Sequence, residues 1–399
     1  MRPLPHTASV LAMLILCTGL LCACAPKRNG LPATLQTQAT INGLAPDTIR
    51  SFGDTAPKHM DQGIGSWATV IQNGPYASAP LTMLSLSGGG ADGAFGAGIL
   101  SGWSARGNRP TFTMVTGIST GALIAPFAFL GPEYDMLLKL FYTTFSTEDL
   151  ARPLPVGSAI SRNGFFSTKP LREALKQYIS TEVITKIATE YRKGRRLIIG
   201  TTNLDLMRPV YWDIGAIAQH RSEKNDQLIR DIILASVSVP VAFPPVFISL
   251  EADGKTYDEM HVDGGVTNQV FAYPVSLDLK KVLAQFSEKR SVSLYVIRNG
   301  TLTAHAETVE ASLADIAEKS MTSLIRNQGI GDLYRIYYTA QRDSVDFHLA
   351  FIPPSFQEKP EEDEMFSTPY MKELFHLGYN TALHGDPWHD APPADFSRR

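Results

Sequence analysis

LSLSGGGADGAFGAGIL, residues 84–100, is a short apolar run followed by a stretch made almost entirely of small residues. Something must approach this backbone so closely that side chains are nearly absent. Gly88-x-Gly90-x-x-Gly93 formally fits a dinucleotide fingerprint, but it fits equally an oxyanion-binding loop or a tight strand-to-helix turn. The dinucleotide reading requires an acidic residue about 20 positions on, to hold the ribose. After Asp92 the next acidic residue is Glu133, and the chain has no Gly-Lys-Ser/Thr for a phosphate loop. Nucleotide binding therefore fails on its second requirement.

A second glycine motif, TGISTGAL, follows the next apolar run. Gly117-Ile118-Ser119-Thr120-Gly121 fits a nucleophile elbow, a sharp strand-to-helix turn that presents a serine. Glycines on either side permit close packing and strained torsions. A helix beginning at Ser119 would aim its free N–H groups and dipole at developing negative charge. Acyl transfer builds such charge on a carbonyl oxygen, and backbone donors must reach it with no side chain intervening. Gly88, Gly89 and Gly90 are the candidate donors, with the Thr120 N–H as a further one. On this reading the group that approaches the glycines is an acyl oxyanion.

A nucleophilic serine needs a base, and the residues alone leave it open. His261 stands beside Asp263, and Asp346 with His384 would satisfy the chain order of an α/β-hydrolase triad. Asp263-Gly264-Gly265 offers a carboxylate followed by two glycines, which also suits a plain turn. In four places, and in the same order, the chain resembles the patatin-like phospholipase family. SGGGADG (87–93) is similar to its glycine-rich oxyanion motif, GISTG (117–121) to its nucleophile motif, ASVSVPVAFPPV (235–246) to the Pro-rich segment before its acid, and DGG (263–265) to its acid motif. The resemblance implies a three-layer α/β/α fold with a mainly parallel central sheet, and a Ser–Asp dyad without a histidine. Ser119 would then be the nucleophile, Asp263 the proton acceptor, and Gly88, Gly89 and Gly90 the oxyanion hole, with Gly93, Gly117, Gly121, Gly264 and Gly265 as motif glycines. The implied activity is lipid acyl hydrolysis of phospholipase A, lysophospholipase or esterase type. A triad esterase and a non-catalytic lipid- or partner-binding protein of the same fold are the alternatives. Asp92 stands where the family often has Arg or Lys, which turns the expectation toward a neutral ester or a lysolipid.

Beyond residue 80, strand and helix patterns alternate, as in a doubly wound α/β layer structure. Leu81–Ser87, Phe112–Gly117, Arg196–Thr202 and Val292–Arg298 read as buried parallel strands, and Thr120–Leu130, Lys169–Tyr178 and Gln227–Val237 as helices. The 399 residues are 44% hydrophobic and 19% charged with a net charge of −3, which gives no sign of a nucleic-acid partner. Residues 1–23 have the form of a secretory signal, with Arg2 ahead of an apolar stretch from Val10 to Leu21. Leu21-Cys22-Ala23-Cys24 resembles the lipobox of bacterial lipoproteins, which implies cleavage before Cys24 and a diacylglycerol on its thiol. A cell-envelope location on a lipid anchor follows, and Ala25 after the cysteine suits the outer membrane better than the inner. All three cysteines lie in the first 24 residues, so the catalytic region has no disulfide. Residues 24–75, polar and rich in Pro, Gly and Thr, read as a flexible tether. Residues 76–385 then form the catalytic domain and 386–399 a polar tail. No cluster has metal-ligand spacing, so neither a cofactor nor catalytic calcium or zinc is expected.

Overall fold

The structure is a computed structural model that describes residues 28–55, 60–287, 289–303, 308–356 and 364–394. The signal segment and Cys24 lie outside the described residues. Nine strands make one sheet: β1 (Arg50–Phe52), β2 (Leu81–Leu86), β3 (Met114–Ile118), β4 (Arg196–Asn203), β5 (Arg208–Asp213), β6 (Val246–Ala252), β7 (Lys255–Asp263), β8 (Val292–Thr301) and β9 (Asp346–Ile352). Their order is β1-β5-β4-β3-β2-β8-β9, with β7 pairing both β4 and β6. The five strands β4-β3-β2-β8-β9 are parallel to one another. Every residue of β2 is buried, as expected of a strand covered on both faces.

Alternate residues of these strands enter two separate cores. Leu84, Leu86 and Ile297 pack on one face under α1 (Gly93–Ala105), α2 (Thr120–Leu130), α3 (Glu223–Ser236) and α5 (Thr368–His384). Leu81, Met83 and Val296 pack on the other, under the helix Met60–Gln72 and the long α4 (Leu313–Asp343). That is the three-layer α/β/α arrangement, with a mostly parallel sheet between the layers. Because the central strands run in one direction, their C-terminal ends gather the Gly88, Ser119 and Asn203 turns at one edge of the sheet.

Two segment assignments need correction. Residues 28–55 are folded onto the domain, so the expected tether is part of the body. Ile41 and Ile49 are buried, Arg50–Phe52 pairs with β5, and Thr40 bridges Glu251. Burying the Arg50 guanidinium against Glu259, at 2.5 and 3.0 Å, locks this segment to a residue about two hundred positions away, which local composition cannot reveal. At the other end, the expected tail is tied down as far as Pro393, whose carbonyl accepts from the Tyr334 hydroxyl at 3.1 Å. His389 exchanges two 2.8 Å backbone hydrogen bonds with Leu349 of β9, and Trp388 packs against the touching pair Trp103 and Tyr295.

Candidate active site

Ser119 sits between β3 and α2 with φ 54° and ψ −125°, a conformation that costs a non-glycine residue about 1–3 kcal/mol. The flanking glycines are required by the same turn. A Cβ on Gly117 would overlap the Gly121 carbonyl, and one on Gly121 would overlap the carbonyl oxygens of Leu86 and Ser87. The strained turn is tied from behind. The Ser119 N–H donates to Ser236 Oγ at 3.0 Å, and that hydroxyl donates to the Gly200 carbonyl of β4 at 2.6 Å.

Asp263 ends β7 and is 4% exposed, against 9% for Ser119. Its N–H donates to the Ser238 carbonyl at 2.9 Å, and its Oδ1 accepts the Gly265 N–H at 2.7 Å. The Oδ2 oxygen is buried and makes no hydrogen bond of ordinary geometry, yet the Ser119 hydroxyl is near enough to lower the pKa of the carboxyl. Burial dominates and pushes the group up to about 7. A carboxylate with that value is a far better proton acceptor than an exposed aspartate. Ser236 and Ser238 both belong to the small-residue segment ahead of the acid. The first holds the nucleophile and the second the acid, which explains the segment's composition in physical terms.

The glycine loop behaves differently from the expectation at one position. The Gly88 N–H donates to the Gln269 carbonyl at 3.0 Å, so it is not free to serve as an oxyanion donor. Gly88 is small for a steric reason: a Cβ there would lie 3.1 Å from Ser119 Cβ. Gly89 and Gly90, with φ of 159° and 57°, keep N–H groups that no described hydrogen bond engages. The Thr120 N–H lies in the first turn of α2, where helix donors lack an intrahelical acceptor. These three remain the donor candidates. Thr120 Oγ1 shares a 2.5 Å hydrogen bond with Tyr142, and Gly93 makes the room, since a Cβ there would lie 2.8 Å from the Tyr142 hydroxyl.

Arg298, at the end of β8, carries no motif signal in the sequence and is 6% exposed. Its Nη1 donates to the Gly88 carbonyl at 3.0 Å and to Ser87 Oγ at 3.2 Å, while its Nε has no partner. Since the C=O and N–H of a trans peptide point oppositely, holding the Gly88 oxygen also fixes the direction of the Gly89 N–H. Asp92 stands at the N-terminus of α1, but its side chain makes no capping hydrogen bond. Its Oδ1 accepts the Tyr370 hydroxyl at 2.6 Å, and burial raises its pKa to about 6.

A cavity of about 250 Å³ opens beside Ser119, walled by Leu123, Phe141, Leu171, Phe243 and Met371. Of the aromatic and proline residues 240–245, Phe243 lines it, while Pro240, Pro244 and Pro245 do not. A larger cavity of about 350 Å³ lies among Leu81, Met114, Tyr211 and Tyr273 and contains neither Ser119 nor Asp263. His261 is fully buried, with its ring nitrogens 3.0 Å from Thr201 Oγ1 and 3.2 Å from Glu259 Oε2, so both are occupied away from Ser119. Asp346 starts β9, at the sheet edge opposite the Ser119 turn. Among the described residues, no group of His, Cys, Asp or Glu is placed to hold a metal ion.

In comparison with known families, the model of the patatin-like phospholipases matches residues 84–275, which spans the glycine loop, the Ser119 elbow and Asp263. No curated protein matches the chain. Among solved structures, the crystal structure of VipD from Legionella pneumophila is similar over 76% of this chain and 66% of that one, just under two thirds of its length, at 12% identity and a TM-score of 0.33. A likeness that distant carries no argument about this chain.

Proposed function

Starting from a chain whose residues 84–275 belong to the patatin-like phospholipase family, we propose that the protein is a lipid acyl hydrolase working through Ser119 and Asp263. Ser119 Oγ attacks the ester carbonyl as its proton passes to Asp263, and the oxyanion forms against the N–H groups of Gly89, Gly90 and Thr120. Collapse expels the alcohol, which takes the proton from Asp263, and leaves an acyl-enzyme on Ser119. Water then attacks the acyl carbonyl while Asp263 accepts its proton. Release of the fatty acid returns that proton to Ser119. The apolar cavity beside Ser119 suits the acyl chain of such a substrate.

The observation that carries this reading is a serine in a strained elbow next to a buried carboxyl whose pKa is raised to about 7. Asp92 beside the loop favours a neutral ester or a lysolipid over a strongly anionic head group. The lipobox-like context of Cys24 supports a lipid anchor in a bacterial envelope. Fatty-acid release from mixed lipid vesicles tests the activity, with Ser119→Ala alongside. The expected result is release by the parent and none by the variant. Equal release from both would remove Ser119 from the mechanism, and no release from either, across phospholipids and neutral esters, would favour a lipid-binding role.

A further inference from the structure

The N-terminal half of α4 extends beyond the catalytic edge of the sheet. Gln328 joins that helix to the site loops: its Oε1 accepts from Gln269 Nε2 at 3.1 Å, and Gln269 Nε2 also donates to the Gly265 carbonyl at 2.7 Å, while Arg326 donates to the Leu302 carbonyl after β8. From Gln328 back to Leu313 the helix advances about 22 Å, at 1.5 Å per residue. Leu313, Ala317, Met321, Leu324 and Gln328 follow one another at spacings of three and four, so they share one face. The face turned toward Gln269 at Gln328 thus continues outward as an apolar stripe. Leu313 is 88% exposed, Met321 59% and Leu324 67%, while Asp315, Lys319 and Arg326 fall on the opposite side.

Other large apolar side chains are exposed at the same edge. They come from separate segments: Val239 and Val241 between α3 and β6, Met207 in the turn between β4 and β5, and Val266 after the acid motif. The described chain also begins there. Arg28 is held by Asp205 of the β4–β5 turn at 2.7 Å and by Asp258 at 2.6 Å. Only a few residues separate it from Cys24, which an extended chain places within about 14 Å.

We propose that this edge is a membrane-docking surface, in which the apolar stripe Leu313–Met321–Leu324 enters the interfacial layer of a bilayer and sets the Ser119 mouth against it. The proposal rests on the lipid-hydrolase reading above. Exposed apolar groups from several segments gathered at one edge mark an interaction surface. An amphipathic helix buries such a stripe at the head-group boundary. The position of Arg28 favours a bilayer over a second protein, because it lies on this same side and only four residues after Cys24, the residue read as lipid-anchored. The apolar cavity beside Ser119, which Val239 of this edge helps to line, fits the same occupant.

The test uses the chain from Ala25 onward, which keeps every described residue and has no lipid anchor. Vesicles of phosphatidylethanolamine and phosphatidylglycerol are floated with this protein and with a variant carrying Leu313→Glu, Met321→Glu and Leu324→Glu. The parent is expected to float, and the variant's partition coefficient to fall about 100-fold or more, given the transfer cost of three buried apolar side chains. Vesicle-lipid hydrolysis should fall with it, while hydrolysis of soluble p-nitrophenyl butyrate stays within about twofold of the parent. A parent that stays with the soluble fraction, or a variant that floats equally, overturns the docking surface. So does a parent that is dimeric by light scattering and a variant that is monomeric, since the stripe then covers a second copy. Equal loss on soluble ester and vesicles makes the arm part of the catalytic fold instead. Flotation needs no turnover, so a protein that floats but hydrolyses nothing refutes the hydrolase reading and leaves the docking surface standing.

Discussion

The glycine run 88–102 divides into two regions built from the same residue for opposite reasons. In the loop Gly88–Gly90, glycine keeps the catalytic turn clear: a Cβ on Gly88 would press on Ser119, one on Gly89 would collide with the Asn299 carbonyl, and Gly89 and Gly90 keep unengaged N–H groups. In α1, the missing side chains admit another helix. A Cβ on Gly98 or Gly102 would collide with the backbone carbonyl oxygens of Phe375 and Tyr379, and one on Gly378 of α5 would collide with that of Phe95. A glycine-rich motif is therefore no single signal. Its first half serves chemistry and its second half serves packing, with the boundary at Gly93, where Thr120 and Tyr142 fill the space.

Substitutions can separate the two halves. The largest effect is expected at Gly98→Val, whose branched side chain has no room against the α5 backbone. It should cost about 4 kcal/mol or more, so that little folded protein is recovered, as read by thermal melting and soluble yield. Gly88→Ala should do the reverse. Its thermal midpoint should stay within about 3 °C of the parent, while kcat on a soluble ester falls about 100-fold, the scale of a displaced nucleophile. A Gly88→Ala protein that melts early with unchanged kcat would erase the distinction between loop and helix.

Asp263→Asn sharpens the comparison from the side of stability. Burial raises the Asp263 pKa to about 7, so its charged form is disfavoured in the fold. The stability it contributes is present in full below the unfolded value near 4 and is lost as pH rises to about 7. Replacing it by Asn removes that penalty. At pH 8 the thermal midpoint should rise by about 4 °C while activity disappears, and at pH 4 the two proteins should melt within about 1 °C of each other. The smallest effect is expected at Arg298→Lys, which keeps a cation but loses the rigid guanidinium whose Nη1 is held on both Ser87 and Gly88. A fall in kcat of about tenfold with KM unchanged is the expected readout.

Much of this architecture is legible in the sequence where structure is local. The parallel strands β2, β3, β4 and β8 appear as short apolar runs, and the helix Lys169–Tyr178 is found at its predicted ends, because burial on both faces or on one stripe writes itself into a period. The β6–β7 hairpin is equally legible in the sequence. VFISLEA alternates buried and exposed, and Asp253-Gly254 turns with φ 49° and 69°. Residues 28–55 were not readable, since their order depends on Asp258, Glu259 and Glu251, distant in sequence. In the site, Ser119 and the loop glycines are legible as motifs, while Asp263 is singled out only by the family resemblance. Gln269 silencing the Gly88 N–H, Ser236 bracing the elbow and Arg298 behind the loop follow only from tertiary contact, and each lies outside a glycine motif.

The most direct test of the dyad is covalent labelling of the folded protein by a fluorophosphonate, followed by peptide mapping across a range of pH. The account predicts one adduct, on Ser119, formed at a rate that falls as the pH drops below about 7, and formed at least 100-fold more slowly in Asp263→Asn. An adduct on another residue, or an unchanged labelling rate in Asp263→Asn, would contradict it.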